Sequence, residues 1–106
     1  MNEIESLEKH FDRLGEHGFV DLVLELRKTL KKVKDAVDKK QYESALRHVT
    51  TITNVLINFN KTTFIPTGAL EDMYSTWGKI DRVTDWIIEQ RAGEMSKEVV
   101  RNIWGY

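Results

Sequence analysis

Residues 19–59 read FVDLVLELRKTLKKVKDAVDKKQYESALRHVTTITNVLINF, and the fold turns on how that stretch is divided. In its first part Phe19, Val23, Leu26, Leu30, Val33 and Val37 follow one another at alternating intervals of four and three. That is the period of a helix with one apolar face, not the strict alternation of a strand. Tyr42, Ala45, Val49, Ile52, Leu56 and Phe59 repeat it, and Leu46, Val55 and Ile57 widen their stripe past half the circumference. From Val49 to Asn60 no residue is charged, so this second helix needs neighbours on two sides. Its run of β-branched residues, Val49 to Thr53, would suit a strand by propensity, but the apolar positions do not alternate.

The join between the two helices holds no glycine or proline. An unbroken helix would carry the first stripe to Lys40 and Ser44, whereas the apolar series resumes at Tyr42, about 100° out of phase. Asp38 with Gln41 three residues on makes a capping pair. These signs predict a tight turn near Asp38–Lys40 and an antiparallel hairpin, with one long kinked helix as the competing reading. The junction Ala36-Val37-Asp38-Lys39-Lys40-Gln41-Tyr42-Glu43-Ser44-Ala45-Leu46 resembles the turn of tetratricopeptide-type helical hairpins, where a tyrosine and an Ala-Leu pair follow a short turn. It lacks their turn glycine and does not recur at their period of about 34 residues, so the resemblance implies a hairpin at this place.

Upstream, Ile4, Leu7, Phe11 and Leu14 keep the helical interval, with Glu3 and Glu5 at the positive end of the helix dipole and Gly15 where a left-handed cap would stop the helix. Downstream, Asn60 to Gly68 reads as the longest loop, with Pro66 biasing Ile65 towards extended backbone. Leu70, Met73, Trp77, Ile80, Thr84 and Ile87 then share one face, flanked by Tyr74 and Val83. Gly93 is expected to end that helix, and a last short one to bury Val99, Val100 and Ile103. The expected fold is therefore all-α: a compact antiparallel helical bundle in a single domain over residues 1–106. Its helices fall at about 3–14, 19–37, 40–59, 68–91 and 96–104, four main ones and a short C-terminal one.

Composition bounds the function. A chain of 106 residues suits one domain, and 41% hydrophobic with 31% charged residues at a net charge of −1 is neither a disordered chain nor a polycationic tail. The absence of cysteine excludes disulfides, thiolate-held zinc and thiol nucleophiles. No apolar run reaches the roughly 18 residues of a membrane span. The opening Met1-Asn2-Glu3-Ile4-Glu5 is acidic where a secretory signal is basic and then apolar, so a cytoplasmic protein without membrane contact is expected.

Catalytic chemistry finds little footing. His10, His17 and His48 make no His-x-x-x-His or Glu-x-x-His pair, so no metal site is expected, and no cofactor is implied. A histidine phosphotransfer module resting on His10 or His48 is the remote alternative. His10 has Arg13 three residues on, but Leu14 stands where such modules need a small residue. Asp81 and Asp85 lie one turn apart beside Lys79 and Arg82, the pattern of a solvated face. There is no glycine-rich phosphate loop and no Gly-x-Ser-x-Gly elbow. The chain is not expected to be an enzyme.

Aromatic and charge patterns point instead to contact. Trp86 lies about 180° from Trp77 on a helix wheel, amid Lys79, Arg82, Glu89 and Gln90. Either the C-terminal helix folds over it, or Trp86, Arg82, Trp104 and Tyr106 form a surface for a protein partner. A non-catalytic protein-binding role as adaptor, inhibitor or regulator is the favoured expectation, and homo-oligomerisation is compatible with it. Charge is also lopsided: residues 1–26 carry seven acids and two bases, residues 27–40 seven bases and two acids. Lys28, Lys31, Lys32 and Lys39 lie opposite the apolar seam, giving a nucleic-acid-associated accessory factor as the alternative. Against it, Asp35 and Asp38 stand one turn from Lys31, Lys39 and Lys34, and no aromatic interleaves the lysines for base stacking.

Overall fold

The computed structural model describes residues 2–104. It contains four helices, α1 (Glu3–Glu16), α2 (Val20–Asp38), α3 (Tyr42–Thr62) and α4 (Thr67–Trp104), and no strand among the described residues. Each helix packs on the next, and α4 closes the ring on α1, so the chain is an all-α helical bundle.

The hairpin of α2 and α3 is present, and the long kinked helix is not. The amide of Gln41 donates to the Ala36 carbonyl at 2.8 Å and that of Lys40 to the Val37 carbonyl at 2.9 Å. These two bonds close a helix whose next residue turns left-handed, a position usually given to glycine. Here Lys40 fills it, with φ 57°. Gln41 caps α3 through its backbone alone, so the expected capping pair with Asp38 does not form. The β-branched residues of α3 are accommodated because Thr50 and Thr51 turn their hydroxyls back onto the Leu46 and Arg47 carbonyls, at 3.1 and 3.2 Å. Their only polar side-chain group is thereby satisfied within the helix.

Two glycines behave differently from their sequence context. Gly15 is helical rather than terminal, and α1 runs on to Glu16; Gly18 takes the left-handed turn instead, with φ 92°. A Cβ on Gly15 would meet the Val23 side chain at 3.7 Å, an ordinary contact between α1 and α2.

The core combines Ile4, Leu7, Phe11 and Leu14 of α1 with Leu22, Val23, Leu26, Leu30 and Val33 of α2, Val49, Ile52 and Leu56 of α3, and Met73, Ile80, Val83 and Ile87 of α4. On α4 the buried line runs through Ala69, Met73, Thr76, Ile80, Val83 and Ile87, slightly rotated from the expected one, and Leu70, Trp77 and Thr84 sit at its shoulder. Buried Thr76 donates its hydroxyl to the Asp72 carbonyl at 2.7 Å.

One expected boundary is overturned. Gly93 does not end α4, and 96–104 is not a separate helix: a single helix of 38 residues spans both. At 1.5 Å per residue it is about 57 Å long, the length of the whole molecule, whose axes measure 58 × 23 × 19 Å. A lone helical glycine costs only about 1 kcal/mol, which the residues on either side outweigh. Among the described residues no helix is long and apolar enough to cross a membrane.

Candidate interaction surface

The residues that continue the core line of α4 beyond Ile87 are Arg91, Glu94, Glu98 and Arg101, and all four are charged. The first two close the end of the bundle. Arg91 donates through Nη1 to Oε1 of Glu43 on α3 at 2.6 Å, and Glu94 lies 3.4 Å from Lys40 Nζ in the α2–α3 turn. Burial pushes the Glu94 carboxyl up, but Lys40 and Lys97 together hold it below its ordinary value. Glu98 and Arg101 lie farther out and make no ion pair among the described residues.

As the core line turns charged, a second apolar line begins. Ile88, Met95, Val99 and Ile103 are 40%, 59%, 53% and 68% exposed. At about 100° per residue they fit an arc of roughly 80°, centred a third of a turn from the core face. Ala92 and, farther back, exposed Tyr74 fall on the same arc. The expectation that Val99 and Ile103 are buried by a last short helix is therefore wrong. With no break at Gly93 that segment has nothing to fold back on, and it projects as an arm beyond the α2–α3 turn. Only the near end of the stripe meets the bundle, where Met95 and Glu98 share a shallow pocket with Tyr42 and Arg91.

The tryptophans lie on opposite sides of α4 as the wheel argument puts them, but neither is fully exposed. Trp77 and Trp86 are half-buried and both pack against the core, on its two shoulders. Trp86 lines a groove with Glu3, Arg82, Asp85 and Glu89. The start of α1 lies beside it at Glu3, while the C-terminal segment of α4 leads away along the same axis. Glu3 is fixed there by Lys79, whose Nζ donates to its Oε2 at 2.9 Å. That bond and the nearby charges of Lys79 and Arg82 hold the Glu3 carboxyl below its usual value. Arg82 is exposed beside them. Trp104 ends α4, but its side chain, like the whole of Tyr106, lies outside the described residues, so the expected four-residue cluster is not assembled here.

The basic stripe is displayed as expected: Lys28, Lys31, Lys32 and Lys39 are all exposed. The compensating pairs with Asp35 and Asp38 do not form among the described residues. Those aspartates line an open groove of about 430 Å³ between α1 and α2 with Lys31, Lys34 and Arg27. Arg27 faces α1 instead, donating to Asp12 at 2.7 Å and Glu8 at 3.2 Å. The acidic first helix and basic second helix thus neutralise each other at one residue and leave the other cations to solvent.

Two of the three histidines have structural partners. His10 Nδ1 donates to the Ser6 carbonyl at 2.8 Å, and His17 Nε2 to Asp72 Oδ2 at 2.7 Å, tying the end of α1 to α4. His48 is half-buried on α3. Sequence reading missed the arm's stripe, although its signal was present: a sequence of apolar residues out of phase with the core line preceding it. Set against known proteins, the chain matches no family model, no curated protein and no solved structure.

Proposed function

We propose that this chain is a non-catalytic interaction module, an adaptor, inhibitor or regulator, that binds another protein through the outward stripe of α4. One observation carries the reading. Ile88, Met95, Val99 and Ile103 make a helical apolar line, 40–68% exposed, that among the described residues the bundle meets only at its near end, on a segment extending past the core. An isolated helical arm gains nothing from its own packing, because helix stability in water comes mainly from burying an amphipathic face. A partner that buries this face supplies that stabilisation, in the manner of a helix lying in a groove. The cysteine-free composition fits a cytoplasmic setting.

The test is affinity capture from nuclease-treated lysate of the source organism, comparing the natural chain with Met95→Asp and Val99→Asp. Retention of a stoichiometric protein through a high-salt wash by the natural chain alone, with melting temperatures within a few degrees, is the expected result. Equal recoveries on all three sink the reading.

The lysines that make no ion pair among the described residues favour a second reading, nucleic-acid association through Lys28, Lys31, Lys32 and Lys39. Its signature is an affinity that falls steeply with salt and is removed by Lys28→Glu with Lys32→Glu. No retention of nucleic acid at low salt eliminates it.

A further inference from the structure

The stripe of α4 also carries its own flanking charges, and these select a partner. Set on a heptad, Ile88 and Met95 take the d positions and Ala92 and Val99 the a positions. Arg91 and Glu98 then take the g positions on one flank, opposite in sign and one heptad apart. From this arrangement we infer that the occupant of the stripe is a second copy of this chain, its α4 antiparallel to the first across a two-fold axis between Gly93 and Glu94. The inference rests on the reading of the stripe as an interface and names what fills it.

In that arrangement Ile88 packs against Val99 of the second copy and Ala92 against Met95 of the second copy, each layer occurring twice. Arg91 of each chain faces Glu98 of the other. Glu98 has no ion-pair partner among the described residues of its own chain, and Arg91 uses Nη1 on Glu43 while its guanidinium has further donors. Moving the helices one heptad in one direction sets Glu98 against its own copy, and in the other direction Arg91 against its own copy. Parallel pairing sets Arg91 beside Ser96 and Glu98 beside Ile103, with no charge complement. Only the antiparallel register centred near Gly93 satisfies both charges. It also places the small Ala92 next to the crossing point, where the two helices approach most closely.

The geometry accommodates the two bundles. The arm beyond Glu94 extends about 15 Å past the α2–α3 turn, and the antiparallel copy brings its own bundle alongside that arm. Each arm therefore lies against the exposed Ile88 edge of the other molecule, and the contact is isologous and closed, giving a dimer instead of a filament.

Sedimentation equilibrium of the purified full chain, from micromolar to millimolar concentration, tests this. A reversible monomer–dimer equilibrium is expected for the natural chain, and monomer for Val99→Asp at every concentration. Glu98→Arg weakens dimerisation about tenfold by turning two attractive contacts into two repulsive ones, and Arg91→Glu combined with Glu98→Arg restores it. A natural chain that stays monomeric to millimolar overturns the inference, as does a dimer indifferent to Val99→Asp or to the charge exchange. Failure here is separable from failure of the proposed function, because a monomer whose capture of a different protein still depends on Met95 and Val99 retains the interface and loses only self-pairing.

Discussion

The two halves of α4 are built from similar residues with opposite outcomes. Up to Ile87 the apolar side chains face α1 and α3, and Met73, Ile80, Val83 and Ile87 are all at most 2% exposed. Beyond it Met95, Val99 and Ile103 are as apolar and stay in solvent. The difference is phase, not composition: charges replace the core line at Arg91, and the new apolar line emerges a third of a turn away. A bundle therefore ends where the stripe changes face, even when the helix does not end.

That contrast is broken or sharpened by mutation. The largest effect is expected at Ile87→Ala, which leaves a cavity in a filled core and lowers stability by about 2–5 kcal/mol in chemical denaturation. The comparable truncation Val99→Ala should change it by less than about 0.5 kcal/mol; a loss near that of Ile87→Ala ends the distinction between the halves. Next comes Lys40→Gly in the turn where the bundle closes. Removing the Cβ from a left-handed residue relieves about 1 kcal/mol, more than the loss of the exposed pair with Glu94 costs, read as a higher urea midpoint. Gly93→Ala adds about 0.5–1 kcal/mol of helix propensity, but on the arm's side of the boundary. Amide exchange around Gly93 should slow while the global midpoint scarcely moves, because the arm opens independently of the core.

The smallest effect anchors the first half of α4. Since Lys79 lowers the Glu3 carboxyl below its ordinary value of 4.5, the pair contributes stability above that pH and loses it as pH falls through the lowered value. Glu3→Gln should flatten the acid limb of the stability profile over that interval, lowering neutral-pH stability slightly and leaving stability below the interval unchanged. An identical acid limb in both proteins removes Glu3 from the account.

Much of this architecture is legible in the residues. The interval series of α2 and α3, and the phase slip between Val37 and Tyr42, predict two helices and a turn even though that turn lacks glycine. Glycine misleads at the other two places, Gly15 and Gly93, because its local penalty is small beside the packing of the residues around it. The projecting stripe was harder to see. Val99 and Ile103 have the spacing of buried residues, and nothing local says that the bundle has already run out of helices to cover them. Trp86 is a related case: a wheel shows which side of a helix a residue occupies, but not that α1 begins beside it.

The ring closure of the bundle has a kinetic consequence. Along the chain α2 and α3 are neighbours through a three-residue turn, whereas the bond between Glu3 and Lys79 joins residues 76 apart and that between His17 and Asp72 residues 55 apart. Closing the longer loops costs more chain entropy and is repaid only after α4 has formed. The α2–α3 hairpin should therefore be structured in the folding transition state, with α1 docking on α4 afterwards. In stopped-flow measurements Ile52→Ala should mainly slow folding and Leu7→Ala mainly speed unfolding; the reverse pattern would place nucleation at the chain ends. It follows that the α1–α4 seam is the last part of the ring to close and the first to open, so the lifetime of the native bundle is set there.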